Sequence, residues 1–596
     1  MAPFKKILFL LTPDMRKRAG LLLIIILISA LLDMLGVASI LPFMTVLTNP
    51  GFIETNSIFN KLFHALNIFG ITNNQEFIFG LGVIVFILLI SSIAFKAYAT
   101  YAQIKFTRIC EYSFSKRLVE GYLSQPYTWF LNRHSAELEK NIVSEALTVV
   151  GGGIKPLLEV IAKGTLTLVL LTLLIIADPK LALIVGITLG GAYAFIYYFV
   201  KGYLNKIGKK RLKNNELRFR FVSEALGAVK EVKVGGLEKI YIKLFSDSAK
   251  IFSRTQASAS VVSQLPRFFL EAIAFGGILL IILHTMSKTG SFNDALPIIS
   301  LYVFAGYRLM PALQQIYVCF SELSFVGPSV DKIYEDLNEL RPITENQDQE
   351  LFSFNKVISL KNISFNYPNA SRTALKNISL DIPAKTVVGL VGSTGCGKTT
   401  TVDIILGLLE AQSGTLKVDG KTITNQNVRS WQRCIGYVPQ NIYLSDNSVA
   451  ANIAFGVDPE DIDKESVENA SKIANLHKFV IEELPKGYQT IIGERGVRLS
   501  GGQRQRIGIA RALYHKPKLL IFDEATSALD NLTEQAVMDS VNNLRKNLTI
   551  ILIAHRLSSI KKCDRIYLLE KGEIKKMLTY EELIKLNDSL RLSANN

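Results

Sequence analysis

Cysteine is scarce in this chain of 596 residues, and its positions are scattered without paired spacing. This scarcity argues against a disulfide framework and predicts a reducing, cytosolic environment for the later part of the chain, which holds three of the five. Acidic residues are also in the minority, 51 against 67 lysines and arginines. No internal repeat covers the chain, so one polypeptide supplies a single copy of each domain. The cysteines are Cys110, Cys319, Cys396, Cys434 and Cys563.

Long hydrophobic runs occupy the first half of the chain. Hydrophobic residues make up 49% of the sequence, and mean hydropathy is +0.27. Runs of about 20 apolar residues match the hydrocarbon thickness of a bilayer. The pattern predicts six membrane-spanning helices, at residues 20–43, 78–100, 156–177, 181–200, 261–285 and 295–320.

The basic residues crowd between alternate apolar runs, and the net charge is +16. Residues 105–140 and 201–250 are rich in lysine and arginine, whereas residues 44–77 and 178–180 carry one lysine each. Since cytoplasmic loops carry the excess of positive charge, we expect both termini and the two basic loops in the cytoplasm. This distribution suits a membrane surface and argues against a nucleic-acid-binding protein.

The sequence also predicts a helix between the first two membrane spans. Residues 58–69 have apolar side chains at helical spacing, which predicts an amphipathic helix on the external face. That helix would either contact a lipid-borne substrate or cap the helix bundle.

Because residues 341–350 are polar and unpatterned, we predict three parts: a transmembrane domain of six helices with coupling helices (1–325), a linker (326–355) and an α/β nucleotide-binding domain (356–596).

A glycine-rich phosphate loop at residues 392–399 follows a buried-strand pattern and precedes a predicted helix. Its backbone N–H groups would converge on phosphate oxygens, and Lys398 would reach the β- and γ-phosphates of ATP. The predicted nucleotide-binding residues here are Gly392, Ser393, Thr394, Gly395, Cys396, Gly397, Lys398, Thr399 and Thr400.

Two further groups predict a magnesium ion and a general base. Thr399 offers a hydroxyl, and Asp523 ends an apolar strand pattern with a carboxylate, both suited to Mg²⁺. Glu524 follows directly and is placed to accept a proton from the attacking water. The sequence therefore predicts ATP hydrolysis with ATP and Mg²⁺ as cofactors.

Residues 499–503, Leu-Ser-Gly-Gly-Gln, lie between the phosphate loop and the strand that ends at Asp523. This ordered set resembles the ATP-binding cassette of the ABC transporters. The resemblance implies that Tyr367 stacks on adenine, that Gln440 contacts magnesium and water, and that His555 faces the γ-phosphate. It also implies an exporter fold for the transmembrane domain.

The same resemblance implies a partner. In the family, the signature motif completes a nucleotide site on the opposite subunit, and here it comprises Ser500, Gly501, Gly502 and Gln503. A chain with one cassette should therefore work as a homodimer with two equivalent sites. Residues 126–130 and 226–230 lie where coupling helices would be expected, and residues 527–530 resemble the family's D-loop.

Charged residues in or near the apolar runs point to a transport pathway. Lys96, Arg267 and Arg308 are such residues, and intramembrane charge is costly enough that it usually faces a cavity. Doubled in a dimer, they would suit an anionic headgroup such as a pyrophosphate. Glu271 lies one turn from Arg267, so an internal ion pair is an alternative, and Lys96 could instead extend to the membrane interface.

Residues 266–271 and 307–311, with the external helix, resemble the PglK-type flippases of lipid-linked oligosaccharides. That resemblance implies that Lys96, Arg267 and Arg308 engage pyrophosphate. At Lys96 the flippase used for comparison has arginine, and a lysine there keeps the charge but loses bidentate phosphate binding. The resulting prediction is an ATP-driven flippase or exporter of the bacterial inner membrane, with an undecaprenyl-diphosphate-linked glycan as substrate. An exporter of drugs, lipids or peptides, and an ABC-derived channel or channel regulator, are the alternatives.

Overall fold

The computed structural model describes residues 3–48, 63, 73–177, 179–289, 292–340, 352–368, 370, 372–493, 496–524, 531–543, 548–554 and 559–591. Contacts divide the chain into two compact units. One comprises residues 1–125 and 132–343, and the other comprises residues 126–131 and 344–596. Apart from Phe63, the predicted external helix at 58–69 lies outside the described residues.

Long helices dominate the chain up to residue 339. In order they are α1 (Pro3–Leu10), α2 (Pro13–Ala38), α3 (Ile40–Thr48), α4 (Asn74–Leu123), α5 (Tyr127–Phe130), α6 (Ser135–Lys140), α7 (Ala146–Val149), α8 (Lys155–Ala177), α9 (Pro179–Gly227), α10 (Val229–Val234), α11 (Glu238–Thr289) and α12 (Phe292–Glu339). Two π-helical turns, Asn141–Glu145 and Val150–Ile154, join α6, α7 and α8.

All six predicted spans are helical. The first lies in α2 and α3, and the others lie in α4, α8, α9, α11 and α12. Within the described ranges, three stretches are long and apolar enough to cross a membrane: Pro13–Leu47, Asn74–Leu123 and Ser135–Ile176. Short helices, α5 and α10, follow α4 and α9 close to the two positions predicted for coupling helices.

The structure corrects the start of the predicted linker, 326–355. Residues 326–339 continue α12, and the two units separate between residues 343 and 344. Val326, Val330 and Ile333 are buried at helical spacing. Because charged residues stand between these apolar positions, the segment looks like a linker in the sequence, although its apolar face is packed.

Close helix contacts and buried ion pairs hold the first unit together. α9 packs against α11 and α12, and α8 packs against α2 and α12. At Gly208 of α9, an added Cβ would lie 2.1 Å from the carbonyl oxygen of Phe325, so the two backbones require glycine here. Nearby, the Arg211 guanidinium pairs with the fully buried Glu145 carboxylate at 2.6 Å, which leaves neither charge uncompensated.

The second unit combines two sheets with short helices. Its strands are β1 (Val357–Phe365), β2 (Leu375–Pro383), β3 (Val387–Val391), β4 (Ser413–Val418), β5 (Lys421–Thr422), β6 (Ile435–Val438), β7 (Leu519–Asp523), β8 (Thr549–Ile553), β9 (Arg565–Glu570) and β10 (Glu573–Leu578). Its helices are α13 (Lys398–Ile405), α14 (Val428–Gln432), α15 (Val449–Ile453), α16 (Lys464–Ile473), α17 (His477–Glu482), α18 (Gly501–Tyr514), α19 (Asn531–Asn543) and α20 (Tyr580–Arg591).

The topology of the larger sheet places the predicted ATP residues together. Its strand order is β10-β9-β3-β8-β7-β6, and β3, β7 and β8 are parallel and fully buried, as continuous apolar runs predict. β3 and β7 flank β8, so their carboxyl ends meet at one edge of the sheet. Ligands bind at this edge in open α/β sheets. The smaller sheet is antiparallel, in the order β2-β1-β4-β5.

Candidate functional site: a nucleotide cleft and a transmembrane cavity

The phosphate loop has the backbone geometry that its glycines predict. Gly392, Gly395 and Gly397 have positive φ angles of 149°, 76° and 108°. An added Cβ at Gly392 would lie 2.2 Å from the carbonyl oxygen of Leu569, and one at Gly397 would lie 2.7 Å from Leu375. These positions therefore tolerate only glycine. α13 begins within the loop, at Lys398, and its first residues line the cleft where a phosphate would bind.

Lys398 is held within this loop. Its side chain is 5% exposed, and its ammonium donates to the carbonyl oxygens of Gly392 at 2.9 Å and Ser393 at 3.1 Å. A loop folded around its own lysine in this way keeps the positive charge at the predicted phosphate position.

A cleft of about 630 Å³ opens over the loop. The predicted adenine-stacking residue, Tyr367, lines it, and its hydroxyl lies 3.2 Å from the Thr400 hydroxyl. Gln440 and Glu524 line the same cleft, and the Gln440 amide donates to the Glu524 carboxylate at 2.7 Å. The structure therefore brings the predicted base and its predicted water-positioning partner together.

The carboxylate expected to hold magnesium lies at the end of β7. Asp523 is 6% exposed, and the Tyr437 hydroxyl donates to it at 3.2 Å. Burial, and then the Asp523 charge, raise the pKa of Asp403 to about 6. The same two causes raise the pKa of Tyr437. Asp403 and Tyr437 were not predicted from the sequence as part of this site.

These donors fit a magnesium ion. The Thr399 hydroxyl, the Gln440 amide oxygen and the Asp523 carboxylate are hard oxygen ligands, and Mg²⁺ is usually held by one or two carboxylates together with substrate phosphates. Within the described part of the chain there is no group of three or more His, Cys, Asp or Glu residues that could hold a metal alone. The metal would therefore bind with the nucleotide.

The signature motif forms a helix N-terminus apart from this cleft. Ser500 caps α18, its hydroxyl accepts from the Gln503 backbone N–H at 3.2 Å, and the Gln503 side chain accepts from the Ser500 N–H at 2.8 Å. Gln503 therefore has a capping role that the sequence prediction did not include. Of the described residues, those lining the cleft do not include 500–503. His555 and residues 527–530 lie outside the described residues.

In the helical unit, two of the three predicted substrate residues meet at one carboxylate. Lys96 pairs with Asp33 at 3.6 Å and Arg308 pairs with it at 3.2 Å, while the Ser92 hydroxyl also donates to Asp33. Arg267 instead pairs with Glu271 at 2.6 Å, which confirms the alternative raised for it, and its side chain is 52% exposed.

A cavity of about 390 Å³ lies beside Asp33 and Lys96. Gln103 of α4, Glu159 and Lys163 of α8, and Gln315 of α12 also line it. Sequence reasoning missed these four residues. Glu159 and Lys163 could have been found, because they are charged residues one turn apart within the predicted span 156–177.

The fold and the two sites together define an ATP-driven membrane transporter. Residues 375–527 match the family model for the ABC transporter, and residues 21–306 match the model for the ABC transporter transmembrane region. The chain belongs to the ABC transporter family: it is an ATP-hydrolysing exporter half-transporter with a helical transmembrane domain and an α/β nucleotide-binding domain.

The chain is also similar to individual ABC transporters. An ATP-dependent lipid A-core flippase from Cupriavidus metallidurans is 31% identical over 479 residues, which covers 79% of each chain. Multidrug resistance protein 1 from Entamoeba histolytica is 41% identical over 280 residues, 45% of this chain and 21% of that one. A solved structure of a bacterial Atm1-family ABC exporter with ATP bound matches with a TM-score of 0.76 and 20% identity over 96% of both chains, and it shows the shared fold.

Proposed function

We propose that this protein is an ATP-driven flippase of the bacterial inner membrane that moves an amphiphile with an anionic headgroup, best represented by an undecaprenyl-diphosphate-linked oligosaccharide. The observation that carries the proposal is the convergence of Lys96 and Arg308 on Asp33 beside a cavity in the helical unit. Relatives with about 30% identity are named as ATP-dependent lipid A-core flippases, which supports lipid transport. The termini and the ATPase domain would face the cytoplasm.

The nucleotide cleft would supply the energy. Lys398 and the loop N–H groups would bind the phosphates of ATP, and Tyr367 would stack on adenine. Thr399, Asp523 and Gln440 would hold Mg²⁺, which would neutralise phosphate charge. Glu524 would take a proton from the attacking water, Gln440 fixes the direction of the Glu524 carboxylate, and His555 is the residue proposed to contact the γ-phosphate.

Two copies of the chain would complete two sites. The N-terminus of α18, with Ser500, Gly501 and Gly502, does not line the cleft of its own chain, and it would bind the γ-phosphate held by a second copy. ATP would hold the two cassettes together, and hydrolysis would release them, which couples the chemical step to movement of the helices.

In the helical unit, the headgroup would compete with Asp33 for Lys96 and Arg308. Arg267 is the weaker of the three candidates, because it would first have to leave Glu271. A substrate anion that replaces a protein carboxylate keeps the basic side chains paired throughout, which avoids the large cost of unpaired charge in a membrane.

A reconstituted flipping assay tests this function. The full chain in proteoliposomes should move a fluorescent lipid-linked oligosaccharide upon ATP addition, and should move a neutral amphiphile with the same tail much less. Lipid A-core should be included as a competitor. Equal movement of the charged and the neutral lipid would refute the proposed headgroup selectivity.

A drug exporter is the second candidate, favoured by the 41% identity to Multidrug resistance protein 1 over 45% of this chain. In the same assay, a drug exporter would move neutral and cationic amphiphiles without preference for a diphosphate. The channel alternative predicts ATP-gated leakage without accumulation, so sealed vesicles that accumulate substrate against a gradient would exclude it.

A further inference from the structure

The polar groups around the transmembrane cavity are unevenly paired. On the acidic side, Asp33 accepts from Ser92 and pairs with Lys96 and Arg308. Glu159 accepts a hydrogen bond from the Gln315 side-chain amide, and it also pairs with Lys155 at 3.8 Å. Both carboxylates of the cavity wall are therefore satisfied by protein groups.

The donors of the same wall are not all satisfied. Within the ranges that the structure describes, the side chain of Lys163 makes no ion pair and no hydrogen bond, although Lys163 lines the cavity and is half-buried. The side-chain amide nitrogen of Gln103, another lining residue, is buried without a hydrogen-bond partner. An unpaired ammonium within a predicted span and a buried amide donor without a partner are both costly unless a ligand with acceptor oxygens reaches them.

We propose that Lys163, with Lys96 and Gln103, forms an oxyanion subsite in this cavity that binds the phosphate groups of the transported headgroup. The proposal deepens the function proposed above and rests on it for the identity of the lipid. Lys163 is the group that binds first, because its ammonium is already unpaired. Lys96 follows when the incoming oxyanion displaces Asp33 from its ammonium.

Lysine suits such a subsite in a transporter. An ammonium is a compact charge with rotatable donors and imposes no bidentate geometry, so it can follow a phosphate as the ligand turns. The two carboxylates of the wall already have partners, whereas the Lys163 ammonium and the Gln103 amide do not, so an arriving negative charge meets unused donors rather than unused acceptors.

Binding measurements on the full chain in nanodiscs test the subsite. The probes are farnesyl diphosphate, farnesol as a neutral lipid with the same tail, and inorganic pyrophosphate as the free anion. We expect Lys163→Met to weaken farnesyl diphosphate binding about tenfold, because the substitution removes a charge-assisted hydrogen bond. Farnesol binding should be unchanged. Lys163→Arg should retain most of the affinity.

Lys105→Met is the matched control, since Lys105 is an exposed lysine of α4 that does not line the cavity. It should bind all three probes as the wild type does. Monodisperse elution and wild-type farnesol binding would show that Lys163→Met is folded. If pyrophosphate binding falls in parallel, the subsite takes the free anion as well; if only farnesyl diphosphate binding falls, the tail is needed. Both results support the subsite.

The proposed subsite and the proposed substrate can be refuted by different results. An unchanged farnesyl diphosphate affinity in Lys163→Met overturns the subsite, whatever the flipping assay shows. Wild-type protein that binds neither diphosphate better than farnesol also overturns it. Lys163-dependent binding together with no flipping of lipid-linked oligosaccharide supports the subsite and overturns the proposed substrate.

Discussion

Glu524 combines an unusual backbone with a functional side chain. Its φ angle is +51°, a left-handed conformation that is uncommon for residues other than glycine and clusters at functional sites. The Gln440 amide fixes the direction of its carboxylate. This local geometry, at the end of a fully buried strand, presents an acceptor to the cleft rather than to the core.

Glu524→Gln should slow ATP hydrolysis by about 100-fold or more, because an amide cannot accept the proton of the attacking water. Nucleotide affinity should persist, so ATP should remain trapped after washing. Steady-state phosphate release and retained labelled ATP measure the two effects. Glu570→Gln, an exposed residue at the end of β9, is the control and should hydrolyse ATP normally. Near wild-type hydrolysis in Glu524→Gln would refute the role of Glu524.

Arg308 and Arg267 should differ in how much they contribute to the rate of flipping. Arg308→Gln should reduce flipping of a diphosphate lipid about tenfold, because it removes a cation that pairs with the buried Asp33. Arg267→Gln should have a smaller effect, since Arg267 is half-exposed and pairs with Glu271. Initial flipping rates of the two variants in proteoliposomes measure both effects. A larger loss of rate in Arg267→Gln than in Arg308→Gln would contradict this placement of the binding residues.

At the scale of elements, close packing of α9 against α12 sets a strict requirement at one position. Gly208→Ala should lower the free energy of unfolding by roughly 1–3 kcal/mol, since the new Cβ would overlap the carbonyl of Phe325. Gly202→Ala on the same helix meets nothing within 4 Å, so it should be neutral or slightly stabilising. Thermal unfolding of the purified protein compares the two, and equal midpoints would contradict the packing.

Asp419 ties the start of β1 to the end of β4. Partial burial opposes ionisation of its carboxylate, but hydrogen bonds from the backbone N–H groups of Asn355, Val357 and Lys356 outweigh burial and lower its pKa. The folded state thus gains stability from ionised Asp419 above the ordinary aspartate value of about 4, and loses it as pH falls through the lowered pKa.

Asp419→Asn should therefore destabilise the nucleotide-binding domain at pH 7 by roughly 1–2 kcal/mol and remove this part of its acid sensitivity. Trp431, fully buried in this domain, reports unfolding by fluorescence once Trp129 is replaced by Phe. A difference between Asp419→Asn and the parent that does not shrink as pH falls from 7 to 3 would refute the account.

Local patterns predicted those elements whose geometry is local. The glycine loop at 392–397, the strand that ends at Asp523 and the six apolar runs need only neighbours in sequence, and the structure has them all. The pairing of Arg308 with Asp33 joins residues 275 apart in the chain, so it depends on helix packing that no local pattern encodes. The helical start of the predicted linker was missed for the same reason, because the polar appearance of residues 326–339 conceals one packed face.

At the scale of the whole molecule, the proposed transport requires two copies of the chain acting together. One chain supplies a phosphate loop with a base, and a signature helix that does not line its own cleft. In the proposed homodimer, each copy would therefore contribute half of each of two composite sites. The proposed energy transfer follows from this arrangement, because closing the sites draws two chains together and hydrolysis lets them part.

The rate of ATP hydrolysis per chain, measured in nanodiscs that hold one or two copies as counted by photobleaching steps, shows whether hydrolysis requires a pair of chains. Discs with two copies should hydrolyse ATP at the full rate, and discs with one copy should show almost none. Single copies that hydrolyse ATP as fast as pairs would contradict the shared site and the coupling built on it.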